Sequence, residues 1–259
     1  MLETLRRSGL ALLALAAASA ALPAQSDTLV IPSIYENADG NSNLSFPLAQ
    51  VTLPIPSNYP YQYEQVYGAD QFGAPAEPIY ITAIRFRVDQ NNGDRNAFDV
   101  LHVELTVGTS TKGPDELTSL STGSNIDGGD ATLVFSGPLS FDPCDVDVCA
   151  LPAFDIEIPF TEPFVYDPAT GDNLIVNVLN FNETNTFPIQ FFDAAQTDAD
   201  GVSSVREVLE RANPSNHIFQ NPSTVGLVTQ FAYTVPEPGA LASIATALAA
   251  IATLRRSRA

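Results

Sequence analysis

Few residues in this chain have the types and spacing that chemistry needs. Cys144 and Cys149 lie in the run Asp142-Pro143-Cys144-Asp145-Val146-Asp147-Val148-Cys149. Outside the cytoplasm such a pair reads most simply as a disulfide closing a small loop. So short a loop adds about 2 kcal/mol at most by chain entropy. A zinc site would need two more ligands, and His102 and His217, the two histidines of the chain, lack the close pairing such sites show.

Asp198-Ala199-Asp200-Gly201 is the best cation candidate. With Gly201 at the sixth position of an EF-hand-type loop, Asp198 and Asp200 take the third and fifth, and Glu207 the twelfth. That is an oxygen ligand set suited to Ca²⁺. Gln196, however, stands first where Asp is expected, Ser203 takes an apolar position, and no flanking helices are predicted. An acidic surface turn is the competing reading. Asp145 and Asp147 form a second, weaker oxygen pair.

Signs of catalysis are thin. The chain has no G-x-S-x-G elbow, H-E-x-x-H or Gly-rich phosphate loop. His102 and Glu104 share a strand face, which an exposed polar surface explains better than an acid–base pair. Two carboxylates across a cleft would suffice for a glycosidase. Trp is absent, but Tyr59, Tyr61, Tyr63 and Tyr67 could present an aromatic face to a sugar. Ordinary core packing of those tyrosines is the competing reading.

The elements that must position these residues are strands. Tyr61–Tyr67 alternates, with the three tyrosines and Gln65 on one face and Gln62, Glu64 and Val66 on the other. Ile79–Val88 alternates throughout. Over Phe98–Val107 the residues Leu101, Val103, Leu105 and Val107 share one face, and His102, Glu104 and Thr106 the other. Residues 108–130 are rich in Gly, Ser, Thr and Asp and read as a long loop. Shorter runs follow at 131–135, 154–160, 164–166, 174–181, 189–192 and 226–233, each bounded by Pro, Gly or Asn. Val202–Ala212 reads as a short helix or a strand. Leu44–Pro60, with four prolines, reads as an irregular arm or an edge. About ten short runs with almost no helical periodicity predict one all-β sandwich, jelly-roll-like, flanked by an N-terminal signal helix and a short C-terminal hydrophobic helix.

Charge narrows the partners. The chain carries 30 acidic and 11 basic residues. Setting aside Glu3 and Glu237 leaves 28 acids, and setting aside Arg6, Arg7, Arg255, Arg256 and Arg258 leaves 6 bases, so the body is near −22. Such a surface repels nucleic acid and anionic lipid and excludes a phosphate-binding role. Lys112 is the only lysine.

Both ends read as addresses. Arg6 and Arg7 precede the apolar run Leu10–Ala18, and Ala18-Ser19-Ala20 offers a small-x-small cleavage site, a secretory signal over 1–24. At the other end, Pro236-Glu237-Pro238 is followed by the small and apolar run 240–254 and then by Arg255, Arg256 and Arg258. The prolines keep the triplet extended, and the arginines favour the cytoplasmic membrane face. Fifteen helical residues reach roughly 22 Å against a hydrocarbon core of ~30 Å, a weak permanent anchor. The order of triplet, apolar helix and basic end resembles the PEP-CTERM sorting signal, here 235–259. That resemblance implies processing by an exosortase, delivery by the secretion machinery and transient membrane insertion. Arg255, Arg256 and Arg258 would act as the membrane stop.

The body, 25–234, also resembles a group of exported PEP-CTERM proteins of unassigned activity. Gln65–Phe72, Ile81–Arg87, Pro163–Pro168 and Gly226–Phe231 carry that likeness. It implies a fold and a destination, the cell surface or extracellular space, and no catalytic residues. The leading expectation is a surface or extracellular-matrix protein without enzymatic activity. A glycan-binding module, with extracellular polysaccharide as its partner, and a secreted hydrolase are the alternatives. The first would expose the tyrosines in a groove, and the second would set two carboxyls facing each other in a cleft.

Overall fold

The computed structural model describes residues 26–45, 47–48, 60–73, 75, 77–91, 97–120, 124–142, 153–181, 190–196, 201–210 and 213–235, with the backbone alone for 210 and 213–221. The expected signal segment 1–24, the sorting residues Pro236, Glu237 and Pro238, and Arg255, Arg256 and Arg258 lie outside them. So do Cys144, Cys149, Asp198, Asp200 and Tyr59.

Alternation in the sequence becomes strand after strand. The first six are β1 (Ser26–Ile31), β2 (Ser42–Leu44), β3 (Tyr61–Tyr67), β4 (Ile79–Phe86), β5 (Phe98–Ser110) and β6 (Thr132–Phe141). The next four are β7 (Ile156–Tyr166), β8 (Asn173–Asn180), β9 (Phe192–Gln196) and β10 (Val202–Glu210). The last are β11 (Asn213–Ser223), β12 (Val225–Leu227) and β13 (Thr229–Thr234). No α-helix occurs among the described residues, and no helix there is long and apolar enough to cross a membrane. By its contacts Asp27–Tyr233 forms one compact unit.

The strands build three antiparallel sheets in a sandwich-like, all-β arrangement. A six-stranded sheet runs β11-β10-β3-β8-β5-β6, a four-stranded one β1-β13-β4-β7, and a three-stranded one β12-β9-β2. A single bridge, Val88 to Phe192, ties an extension of β4 to β9. Because side chains alternate, the register of the large sheet decides what each face carries. Glu64 of β3 lies opposite Val205 of β10 and Asn177 of β8. Tyr63 lies opposite Arg206 and Val178.

One face of the large sheet, with Tyr61, Tyr63, Gln65 and Tyr67, turns toward β12 and β13. Tyr67 shares a hydrogen bond with Thr229 Oγ1 (2.8 Å) and meets the Phe231 ring edge-on at 4.9 Å. Gln65 Nε2 donates to Leu227 O (2.9 Å) and its Oε1 accepts from Leu227 N (2.7 Å). The opposite face, with Glu64 and Val66, is covered by residues 111–120 and 124–131, which lie across it as a strap. Val66, Ile175 and Val205 from the sheet pack with Leu117, Leu120 and Ile126 from the strap. The large sheet is therefore covered on both sides, and polar residues on its strap side need partners.

Several expectations change in detail. A bulge between Val100 and Val103 turns Leu101 outward, 47% exposed, while Val103, Leu105 and Val107 stay buried. The runs expected at 154–160 and 164–166 are one strand, β7, passing through Pro159 and Pro163. Both prolines are tolerated because β7 ends its sheet. The ambiguous segment 202–212 is strand β10 over its described part. The run expected at 226–233 divides into β12 and β13.

Candidate functional site

Two groups of buried carboxylates stand out, on different strands and with different partners. The first lies under the strap. Glu64, from the middle of β3, is fully buried. Its Oε1 accepts from Ser124 Oγ (3.0 Å) and Asn177 Nδ2 (2.9 Å). Its Oε2 accepts from the backbone N–H (3.2 Å) and Nδ2 (2.8 Å) of Asn125. All four donors are neutral. Burial pushes the Glu64 carboxyl above its usual range, and the Asn125, Ser124 and Asn177 bonds only partly oppose it.

Asn125, also fully buried, is the hub of the strap. Its Oδ1 accepts from Lys112 Nζ (2.7 Å), Thr118 N (2.9 Å) and Thr118 Oγ1 (3.0 Å). Its Nδ2 donates to Glu64 and to Thr118 O (2.9 Å). A backbone N–H can only donate and a backbone carbonyl only accept, so the two Thr118 contacts fix which way the amide points. Ser110 Oγ donates to Asn125 O (2.7 Å). The only lysine of the chain thus reaches the buried Glu64 through a single carboxamide.

Other anchors hold the strap down. Glu207, on the same face of β10, accepts from Ser119 Oγ (3.0 Å) and from Leu120 N through Oε1. Asp130 accepts from Thr109 N (2.8 Å) and Oγ1 (2.9 Å), and Asp127 does the same for Thr111. The Thr111 amide bond lowers the Asp127 carboxyl below its ordinary range. A cavity of about 150 Å³ opens beside the strap near Asp115, Leu117, Ser203 and Ser223. Three of its hydroxyls are bonded within the protein: Ser203 Oγ accepts from Asp115 N (2.8 Å), Ser223 Oγ accepts from Val225 N (3.2 Å), and Ser204 Oγ donates to Val225 O (2.6 Å).

The second group surrounds Arg87, just past β4. Arg87 is 2% exposed, and its Nε (2.7 Å) and Nη2 (2.6 Å) both reach Oδ2 of Asp193 on β9. Nη2 also donates to Tyr35 O (2.8 Å) and Ala38 O, and the guanidinium lies 4.6 Å over the Phe154 ring. Asp193 Oδ1 accepts from Gly40 N (2.7 Å). Gly40 has no room for a side chain, since a Cβ there would lie 2.1 Å from Ala194 O. Asp39 and Asp89 bring their oxygens within 4.8 Å of one another and of Asp193. Burial pushes Asp193 up to about 6 against the pull of Arg87, and Asp39 adds to the rise. Three clustered carboxylates are a set that Ca²⁺ could use. Here the Arg87 guanidinium already bonds one of them.

Among the described residues, those singled out from sequence form no common site. Tyr61, Tyr63 and Tyr67 are each 1% exposed, so the expected sugar-stacking face is core, fixed there by bonds to Gln65 and Thr229. Glu207 is buried within β10 and bound to the strap, which removes it as the twelfth ligand of a surface Ca²⁺ loop. Strands β9 and β10, not helices, flank that loop. His102 is half-buried, stacks on Phe181 at 4.3 Å, and lies 3.9 Å from Glu104 at the surface. Sequence reading missed the Arg87 group and the Lys112–Asn125–Glu64 chain. Scarcity was the available signal: in a body this poor in bases, an arginine in a strand and a sole lysine in a loop invite a reason. No family model, curated protein or solved structure matches the chain.

Proposed function

We propose that the protein is an exported component of the cell surface or extracellular matrix, without enzymatic activity, released by an exosortase from a short-lived membrane-inserted state. The observation that carries this reading is the C-terminal order of Pro236-Glu237-Pro238, the apolar run 240–254, and Arg255, Arg256 and Arg258. The arginines hold the end in the cytoplasm, the short helix parks in the bilayer, and the rigid triplet waits near the outer interface. The secretory signal over 1–24 and the acidic body fit the same destination.

The body supports the non-enzymatic side of the reading. Its raised carboxyls, Glu64 and Asp193, are committed to internal partners and do not face each other across an open cleft. The buried tyrosines weaken the glycan-binding alternative. A jelly-roll-like topology is the working arrangement, since β3, β8 and β5 are neighbours despite their distance in sequence.

Intact-mass measurement of the released protein tests the proposal. The expected mass ends close to Pro238 and lacks 240–259. Glu237→Ala in a host that has the exosortase should leave the tail attached. A released protein still carrying Arg255–Arg258 overturns it.

A further inference from the structure

Lys112, Asn125, Thr118 and Glu64 together hold the parts of an acyl-transfer site, closed on itself. Lys112 Nζ is a primary amine 2.7 Å from the Asn125 carboxamide oxygen. Its backbone is pinned from both sides, with its N–H donating to Ser110 Oγ (3.1 Å) and its carbonyl accepting from Asn173 Nδ2 (3.1 Å). The carboxamide carbon is the electrophile. Thr118 N–H (2.9 Å) and Oγ1 (3.0 Å) both donate to Oδ1, the atom on which negative charge would gather during attack. On the other side of the amide, Glu64 Oε2 receives Nδ2 at 2.8 Å, where a leaving nitrogen needs a proton.

We propose that Lys112 and Asn125 become joined by an intramolecular amide bond from Nζ to Cγ, formed by the folded body itself with Glu64 as the proton carrier. Lys112, half-buried at the edge of the site and bonded to Asn125 Oδ1 and Thr118 Oγ1, gives one proton to solvent while the Glu64 carboxylate takes one up, leaving a neutral amine and a carboxylic acid. Burial without a cation partner favours that neutral acid. Nζ then attacks Cγ, and the charge on Oδ1 is held by Thr118. Both nitrogens are now bonded to the same carbon, so one carboxyl group serves both. Glu64 gives its proton to Nδ2, the Cγ–Nδ2 bond breaks, and ammonia leaves. Glu64 recovers a proton from Nζ, and an ordinary amide remains. No oxidant or further reactant enters. In free solution an amine and an amide do not meet often enough to react. Here folding supplies the encounter, with Asn125 and Glu64 fully buried.

The resulting bond closes the strap upon itself. It is a single self-processing event, independent of the sorting signal and of any substrate. The test is peptide mapping of the exported full chain, reduced beforehand to remove the contribution of any disulfide. The expected protein is lighter by one ammonia, resists trypsin after Lys112, and, when cut instead after Glu104 and Glu116, yields a branched peptide joining Lys112 to Asn125. Cyclisation of an N-terminal glutamine also loses one ammonia, so the branched peptide is the deciding result. Lys112→Arg should abolish the branch. Glu64→Gln, shown to be folded by circular dichroism, should leave Lys112 open to trypsin; a branched Glu64→Gln protein removes Glu64 from the reaction. Wild-type protein cut at Lys112, with a linear 113–206 fragment, overturns the proposal.

Discussion

Asp193 and Glu64 are both buried carboxylates, yet one is answered by a guanidinium and the other by four neutral donors. The difference lies in what each holds together. Arg87 and Asp193 join two sheets and the turn at 35–40, so their charges are answered across elements far apart in sequence. Glu64 joins one strand to its covering strap, where Asn and Ser amides and hydroxyls suffice. A formal ion pair is geometrically fussy and costly to desolvate, and it is most damaging when only half removed. A carboxylate among neutral donors is graded: each donor lost costs its own share.

That contrast sets the order of effects. Arg87→Ala should cost about 3–5 kcal/mol in urea unfolding, because it strands Asp193 beside Asp39 and Asp89. Pairing Arg87→Met with Asp193→Leu should recover much of the loss; a double variant as unstable as the single would show that packing over Phe154, not charge, dominates. Glu64→Ala should cost less, about 2–3 kcal/mol, since it orphans neutral groups. Its signature should be local: faster amide exchange at Asn125 and Leu120 before any change in β4 or β9. Equal losses and equal exchange at the two sites would erase the distinction.

The pH dependence sharpens it further. Asp193 has a folded-state pKa of about 6, above the ordinary aspartate value of 3.8. Between those values the folded chain binds more protons than the unfolded one, so this group's contribution is fully present at low pH and is lost as pH rises toward 6. The slope should approach ~1.4 kcal/mol per pH unit at its steepest. Melting temperatures from pH 4 to 6 should therefore fall with rising pH, and Asp193→Asn should flatten the curve. Glu64 shifts in the same direction, so some slope should persist in that variant. The smallest effect should be Tyr67→Phe, which removes the bond to Thr229 and should cost about 1 kcal/mol. A loss above that of Glu64→Ala would mean the inter-sheet contact, not the strap, is the more sensitive seam.

Local patterns in the chain were easy to read. Tyr61–Tyr67 alternates without interruption and is a strand with those limits, and its two faces carry the side chains that alternation assigns. Patterns set by distant partners were not. Strand β11 contains Pro214 and Pro222 and has no clean alternation; it pairs with β10 at the end of the large sheet, where missing N–H groups are tolerated. The bulge in β5 turned Leu101 outward with no mark in the composition. Residues 108–130 read as loop, and nothing local says that Asn125 meets a glutamate 61 positions away. The Arg87 group needs residues from three separate segments, so it became visible only once β9 lay beside the end of β4.

The strap has one more consequence. A protein sent outside the cell meets proteases, and long polar connections are where they cut first. A protease must draw a segment out and extend it in its cleft, and that requires the segment to open locally. Residues 111–120 and 124–131 open by releasing Asn125 from Glu64 and Leu120 from Glu207, with Leu117, Leu120 and Ile126 coming away from Val66, Ile175 and Val205. A stretch whose composition advertises a nicking site is, in the folded body, tied down at Leu117, Leu120, Asn125 and Ile126.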